Sequence, residues 1–227
     1  MKRITILAIS ILTFSASIFA QSHKYYDTKH EIGVTVGTLA ITQLATMNDD
    51  QMTWLTPSEA AVKAAGFKHE DYLYSNYFYG DIKYLPNISV EYYYHINKLV
   101  GIGGFLAFNG NKRDMHLPYQ DKFEIWHNEK TGVARCYNIS LTPSVRLDYL
   151  RTKHFGMYGK AGIGVGIMYE SQKEDVKDGI DFNQTEIVFI PGLTLFGMEI
   201  GNPKLRVFTE LGLSDQGILL LGGKYRF

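Results

Sequence analysis

The chain has a single cysteine, Cys136, and 6 prolines among its 227 residues. One thiol cannot close an internal cross-link, so a disulfide-stapled scaffold is excluded. A lone exported thiol reads as a small buried residue rather than a reactive group. Charge bias is missing too: 23 basic side chains stand against 23 acidic ones, which leaves no basic footprint for nucleic acid. After residue 20 no apolar run reaches spanning length. A membrane helix needs about 20 mostly apolar residues, so a helical membrane protein is excluded. A β-barrel is not, because its strands need apolar residues only at every second position. Catalytic and metal signatures are also absent. There is no nucleophile elbow and no zinc spacing, and Asp49-Asp50 with Asp71 is too sparse for a calcium loop. No cofactor and no metal are expected.

What the sequence does contain begins at its N-terminus. Met1-Lys2-Arg3 is basic, Ile4 to Phe19 is apolar but broken by Ser10, Thr13, Ser15 and Ser17, and Ala20 precedes polar Gln21-Ser22-His23-Lys24. That is the order of a secretory signal, with cleavage expected after Ala20. The predicted organisation is a signal over 1–20, a short periplasmic segment over 21–30 and one domain over 31–227. Losing Lys2 and Arg3 leaves 23 − 2 = 21 bases against 23 acids, a mature net charge of −2.

Aromatics make up 14% of the chain, with 16 tyrosines, and there are 22 glycines; mean hydropathy is nevertheless slightly negative, at −0.12. Much of this composition is arranged with period two. From Phe155 to Tyr169 the odd positions Phe155, Met157, Ala161, Ile163, Val165, Ile167 and Tyr169 are apolar, whereas the even positions are mainly glycine, with Lys160 among them. Such alternation marks a strand between two unlike surroundings, and it outruns the usual length of about 5–6 residues. Similar runs cover Ile88–His95, Val100–Asn109, Tyr137–Tyr149, Leu205–Ser214 and Leu219–Phe227. With Glu31–Thr38 and Glu186–Ile200 they predict an all-β, eight-stranded antiparallel up-and-down transmembrane barrel.

The links sort by length. Three are short, at Ile96–Leu99, Leu150–His154 and Gly201–Lys204. Three are long, at Leu39–Pro86, Gly110–Arg135 and Glu170–Gln184, and a last one at Asp215-Gln216 is brief. Short periplasmic turns alternating with long extracellular loops are the pattern of an outer-membrane barrel. Aromatics on the outward parity fall in two tiers: Tyr94, Tyr149, Phe155, Tyr225 and Phe227 beside the short turns, and Phe108, Tyr137 and Tyr169 beside the long loops. These are expected to be interfacial girdles.

Local irregularities are expected as well. Pro143 and Pro191 each predict a bulge or an unpaired position, since a closed barrel has no edge to shelter a proline. A switch of parity is expected near Pro191-Gly192. Thr56-Pro57-Ser58-Glu59 reads as a capping box with proline at the first helical position, opening a short extracellular helix. Tyr72–Tyr79 leaves a ten-stranded barrel open, and Lys122–His127 reads as a strand that could protrude above the membrane.

Inward positions collect charge: Glu91, Arg146, Asp148, Lys160, Glu199, Arg206, Glu210, Lys224 and Arg226. Glu199 and Arg206 should face one another across a short turn, and Glu31 should approach Lys224 or Arg226 where the barrel closes. Buried charges must pair, and eight strands make a lumen just wide enough for side chains to fill. A salt-bridged plug is therefore expected, with a small porin-like channel as the alternative. A lipid-modifying enzyme is the second alternative, its candidate groups being His116, His127, Ser140 and Asp148. No enzyme activity is the reading preferred. The loops at Leu39–Pro86 and Gly110–Arg135 carry tyrosines with Trp54 and Trp126, residue types favoured at interfaces, so an extracellular partner is expected there.

The ending Leu221-Gly222-Gly223-Lys224-Tyr225-Arg226-Phe227 resembles the terminal strand of outer-membrane barrels. That likeness implies that Phe227 helps the barrel-assembly machinery recognise the chain. The blocks Leu141–Tyr149 and Gly159–Val165 resemble the outer-membrane β-barrel domain proteins common in Bacteroidota. The resemblance spans roughly residues 30–227 and implies outer-membrane lipid as surroundings, but no catalytic residue.

Overall fold

The computed structural model describes residues 28–47, 56–66, 77–120 and 126–227. The expected signal segment, Trp54, the aspartates at 49, 50 and 71, and Tyr72 to Asn76 lie outside these residues. The elements in chain order are β1 (His30–Thr38), α1 (Ile41–Met47), α2 (Glu59–Ala64), β2 (Phe78–Tyr79), β3 (Lys83–Tyr84), β4 (Asn87–His95), β5 (Val100–Gln120), β6 (Trp126–Arg151), β7 (Phe155–Glu174), β8 (Asp181–Gly201), β9 (Leu205–Leu213) and β10 (Leu219–Arg226).

Eight of these strands close a ring through antiparallel pairs only. β1 pairs with β4, each later strand pairs with the next, and β10 returns to β1. The two-residue strands β2 and β3 pair only with the outer part of β5 and stay outside the ring, so eight strands, not ten, form the barrel.

Following partners from Val165 through Leu141, Leu106, Val90, Val34, Gly223, Val207 and Ile200 leads back to Phe155. The offset along β7 is 165 − 155 = 10 residues. From ordinary strand spacing and rise, that shear on eight strands gives a tilt of about 40° and a wall radius of about 8 Å.

Period-two alternation now has its physical cause. Ile32, Val34 and Val36 of β1 point outward and are exposed, as are Ile139, Leu141, Val145 and Leu147 of β6 and Ile163, Val165 and Ile167 of β7. Between them Glu31, Thr35, Ser140, Arg146 and Lys160 are buried. The wall is thus apolar outside and polar inside, the arrangement of a transmembrane barrel. Among the described residues no helix is long and apolar enough to cross a membrane.

The short turns are held by side-chain acceptors. Asn97 Oδ1 accepts from the backbone N–H of Leu99 and Val100, both at 2.8 Å. Asn202 Oδ1 accepts from Lys204 at 2.9 Å and Leu205 at 2.6 Å. Both are Asx-type turns.

Three expectations need correction or narrowing. Of the two outcomes expected at each proline, the unpaired position is found and the bulge is not: among the described residues Pro143 has no partner on β7 and Pro191 none on the β9 side. Leu141↔Val165 and Ser144↔Gly162 flank Pro143 in one alignment, and Pro191 stays opposite Ile163. Each proline ring points outward and is exposed, so the cost is limited to the donor it lacks. The shifts in the ring lie elsewhere, between Asp148 and Leu150, Tyr158 and Lys160, and Thr194 and Phe196. The parity switch on β8 is real but falls at this last shift. Leu193 and Leu195 face outward, then Phe196, Met198 and Ile200 do.

The second correction concerns the loops. Much of Gly110–Arg135 and Glu170–Gln184 is strand: β5 to β8 run for 21, 26, 20 and 21 residues. They rise beyond the ring as a curved sheet, whereas β1, β4 and β9 have 9 residues each and β10 has 8. The third correction is the helix cap. Ser58, not Thr56, is the N-cap of α2, its side chain accepting from Ala61 N, so Pro57 precedes the cap.

Candidate functional site

All nine inward charges expected from the sequence are buried in the lumen, and they fall into two groups. The group nearer the short turns centres on Arg146. Its Nε and Nη2 donate to Asp148 Oδ1 at 2.9 and 2.8 Å, Nη2 also reaches Glu199 Oε2 at 3.1 Å, and Nη1 donates to Glu31 Oε1. Glu199 takes Arg206 at 2.9 Å, Lys224 at 2.8 Å and Arg226 at 2.5 Å. Glu31 takes Arg226 at 3.0 Å and Lys224 at 3.5 Å. The second group has Lys160 between Glu91 at 2.5 Å and Glu210 at 2.6 Å. Tyr158 Oη donates to Glu210 at 2.6 Å, and the Tyr158 ring lies 3.6 Å from the Arg146 guanidinium carbon.

Several members were not singled out from the sequence as part of this network. His95 sits between Glu31 (3.4 Å) and Asp148 (3.2 Å), and Arg151 lies 3.4 Å from Asp148. Tyr93 and Tyr158, on the inward parity of their strands, are wholly buried inside. Counting Glu31, Glu91, Asp148, Glu199 and Glu210 against Arg146, Arg151, Lys160, Arg206, Lys224 and Arg226 gives 6 − 5 = +1. The interior is close to neutral, as buried charge must be.

The other end of the lumen is closed by different chemistry. The link after β9 turns inward, burying Ser214, Asp215 and Gln216. Asp215 accepts from Thr42 Oγ1 at 2.5 Å and from Asn138 Nδ2, while Gln216 Nε2 donates to Ser89 Oγ at 2.7 Å. Helix α1 lies against this plug. Gln43 Nε2 donates to Leu85 O at 3.1 Å and Gly110 O at 2.8 Å, and Thr46 accepts from Asn111 and Arg113.

Above the ring, β5 to β8 form a crown with its own small core of Ala61, Tyr77, Met115, Leu117 and Ala134. One carboxylate ties it together. Glu174 Oε1 accepts from Ser58 N at 2.9 Å and Tyr77 Oη at 2.5 Å; Oε2 accepts from Ser58 Oγ at 2.5 Å and Ile180 N at 2.8 Å. Burial pushes the Glu174 carboxyl up, but the bonds from Ser58 and Tyr77 outweigh it and hold the group below the ordinary glutamate range. On the outer side, Asp114 bridges Lys130 at 2.8 Å and Lys83 at 3.1 Å, and these bonds lower its pKa to about 2.

The outward aromatics fall in two sets along the wall. Tyr149, Tyr225 and Phe227 are exposed and Tyr94 and Phe155 half-buried beside the short turns; Phe108 and Tyr169 are exposed and Tyr137 half-buried towards the crown. Tyr225 and Phe227 stack at 6.0 Å, as do Phe108 and Tyr137 at 6.3 Å.

The catalytic candidates do not converge. Ser140 and Asp148 lie on one strand, eight positions or roughly 26 Å apart at strand rise. His116 stands in the crown, its Nδ1 3.3 Å from Asn128 O, and the side chains of Trp126 and His127 lie outside the description. Among the described residues no group of three or more His, Cys, Asp or Glu is placed to hold a metal.

No protein-family model matches the chain, and no curated protein does. Among solved structures it is similar to Ail, the attachment invasion locus protein of Yersinia pestis, solved alone and in complex with the heparin analogue sucrose octasulfate. In both cases identity is 13% and TM-score 0.39, over 88% of this chain and 97% of that one.

Proposed function

We propose that this chain is a non-enzymatic integral outer-membrane protein whose lumen is a structural plug and whose surface-binding function resides in the crown. The observation that carries this reading is the inversion of the wall: an outward apolar belt around an interior filled by neutralised charge. In this reading residues 1–20 are a cleaved export signal, 21–30 a periplasmic segment and 31–227 the barrel domain. The two aromatic tiers sit at the membrane interfaces, and Phe227 serves recognition by the barrel-assembly machinery. The sequence resemblance to barrel proteins common in Bacteroidota belongs to the same proposal.

Site-specific labelling tests the placement. In a Cys136→Ser background, Lys177→Cys at the β7–β8 tip should react with a membrane-impermeant maleimide on intact cells. Lys153→Cys, in a short turn, should react only once the outer membrane is permeabilised. Equal labelling of both on intact cells would overturn the reading. The plug is tested separately in planar bilayers, where the purified protein should give no stable conductance. A lasting open channel would restore the porin-like alternative.

A further inference from the structure

Beside β8 the ring closes only as far up as the pair Leu193 and Leu213, and above it the wall is open. β9 ends at Leu213, opposite Leu193 of β8, and the chain then turns inward to bury Asp215 and Gln216. β8 continues in the other direction, paired with β7 as far as Asp181. Among the described residues no strand pairs with the second edge of β8 from Asn183 to Gly192. The other edge of the crown is covered differently, for β2 and β3 pair with β5 there.

A groove of about 380 Å³ lies at this free edge. Its lining includes the outward-facing Phe189 and Pro191 and the inward-facing Val188 and Ile190 of the same strand, together with Met168 of β7 and Ala45 of α1. A cavity touching both faces of one strand passes around that strand's edge, so the groove joins the inside of the wall to its outside. Its volume falls in the range of about 300–1,000 Å³ usual for ligand sites.

Depth identifies the occupant. Phe189 pairs with Val165 of β7, which stands with Ile163 and Ile167 among the exposed residues of the apolar belt. Tyr169 of the upper aromatic tier pairs with Thr185, four positions nearer the tip of β8. The mouth of the groove therefore opens below that tier, within the belt. Phe189 and Ile187 beside it are 80% and 74% exposed, well above most belt residues. At this depth a free strand edge has no water to satisfy it, and a polar peptide would face the same penalty. Apolar walls continuous with the lipid-facing belt fit a hydrocarbon chain.

We infer that this lateral groove takes a single acyl chain of an outer-leaflet membrane lipid, seated between α1 and the free edge of β8. The inference rests on the outer-membrane reading above and deepens it. Thr42, Thr46 and Glu170 also line the groove, the Thr42 hydroxyl being taken up by Asn109 and Asp215. Glu170 lies two residues beyond Met168 towards the crown, which puts a polar lining at the end of the groove nearer the headgroups.

The test uses the full mature protein in proteoliposomes containing phospholipid with a photoactivatable diazirine in its acyl chain. Adducts are mapped by peptide mass spectrometry. Ordinary belt contact should label Ile163 and Leu195. Groove occupancy should in addition label Met168 and Val188, which face inward and are shielded by the wall from bulk lipid. Ala45→Trp should abolish the Met168 and Val188 adducts and spare those on the belt. Ala45→Leu, a smaller filling, should reduce them and guards against a folding defect in the tryptophan variant. Belt adducts without groove adducts would overturn this inference and leave the membrane reading intact. So would groove adducts unchanged by both variants. Absence of belt adducts would overturn the membrane reading itself and the inference with it.

Discussion

Arg146 holds three carboxylates, Glu31, Asp148 and Glu199, through one planar guanidinium. A lysine cannot reproduce that fork, and an apolar replacement leaves the carboxylates short of a partner. Removing one member of a buried ion pair costs about 3–5 kcal/mol. Arg146→Met should therefore destabilise the barrel by at least that order, read as a lower midpoint of urea unfolding in detergent, and Arg146→Lys should fall between it and wild type. The inward glycines matter at the same scale, for the space they leave. A Cβ on Gly197 would strike the Tyr158 ring, and one on Gly222 the Phe208 ring. Gly197→Val should lower stability by about 1–3 kcal/mol through overpacking, in the same unfolding assay. Asp114 offers a contrast, since its lysine partners are 65% and 45% exposed. Exposed pairs contribute about 0–1 kcal/mol, so Asp114→Asn should leave the unfolding midpoint nearly unchanged.

The strands differ in how legible they were. β7 showed its parity in the sequence because its faces meet hydrocarbon and lumen over most of its length. Beyond the belt that contrast reverses. On β5 the inward positions run Phe105, Ala107, Asn109, Asn111 and Arg113, then Met115 and Leu117, all without a change of parity. The crown places its apolar side chains inward, as a soluble sheet does, so the strand passes from one rule of polarity to its opposite and the sequence reads there as loop. α1 escaped notice because its 7 residues carry neither an acidic first turn nor a basic last turn. The Asp215-Gln216 plug looked like an ordinary turn, its inward direction being set by Thr42, Asn138 and Ser89 from distant strands and a helix. By contrast, the ion pair of Glu199 with Arg206 was readable, because a short turn keeps the two close, although the register sets Arg206 opposite Gly201 and Glu199 opposite Phe208 and the pair forms on the diagonal. Glu174 governs the crown as an element. Its folded-state pKa lies below the ordinary 4.5, so its stabilising contribution is present above that value and is lost as pH falls through the folded pKa. Limited proteolysis should open the α2 and β7–β8 region at about pH 3 but not at about pH 7. Glu174→Gln should show raised cleavage at both values with the acid dependence removed.

At the scale of the molecule the closure is threefold: ion pairs at the turn end, Tyr158 with Lys160 between Glu91 and Glu210 at mid-height, and the Asp215-Gln216 loop under α1 at the crown end. A conducting path would have to breach all three. Arg146→Ala together with deletion of Asp215 and Gln216 should therefore remain non-conducting in planar bilayers while the middle group is intact. The crown rises from only half of the ring, so the outer end is lopsided, and the lateral groove lies where the tall half meets the short one. The ion pair that joins β1 to β10 also bears on the time order of assembly. Glu31 and Arg226 stand 195 positions apart in the chain, so the contact cannot form until all the strands between them have been made. Contacts of such separation make folding slow. Until they form, Lys224 and Arg226 lack one of their two carboxylates, so closure of the wall and neutralisation of its interior are one event.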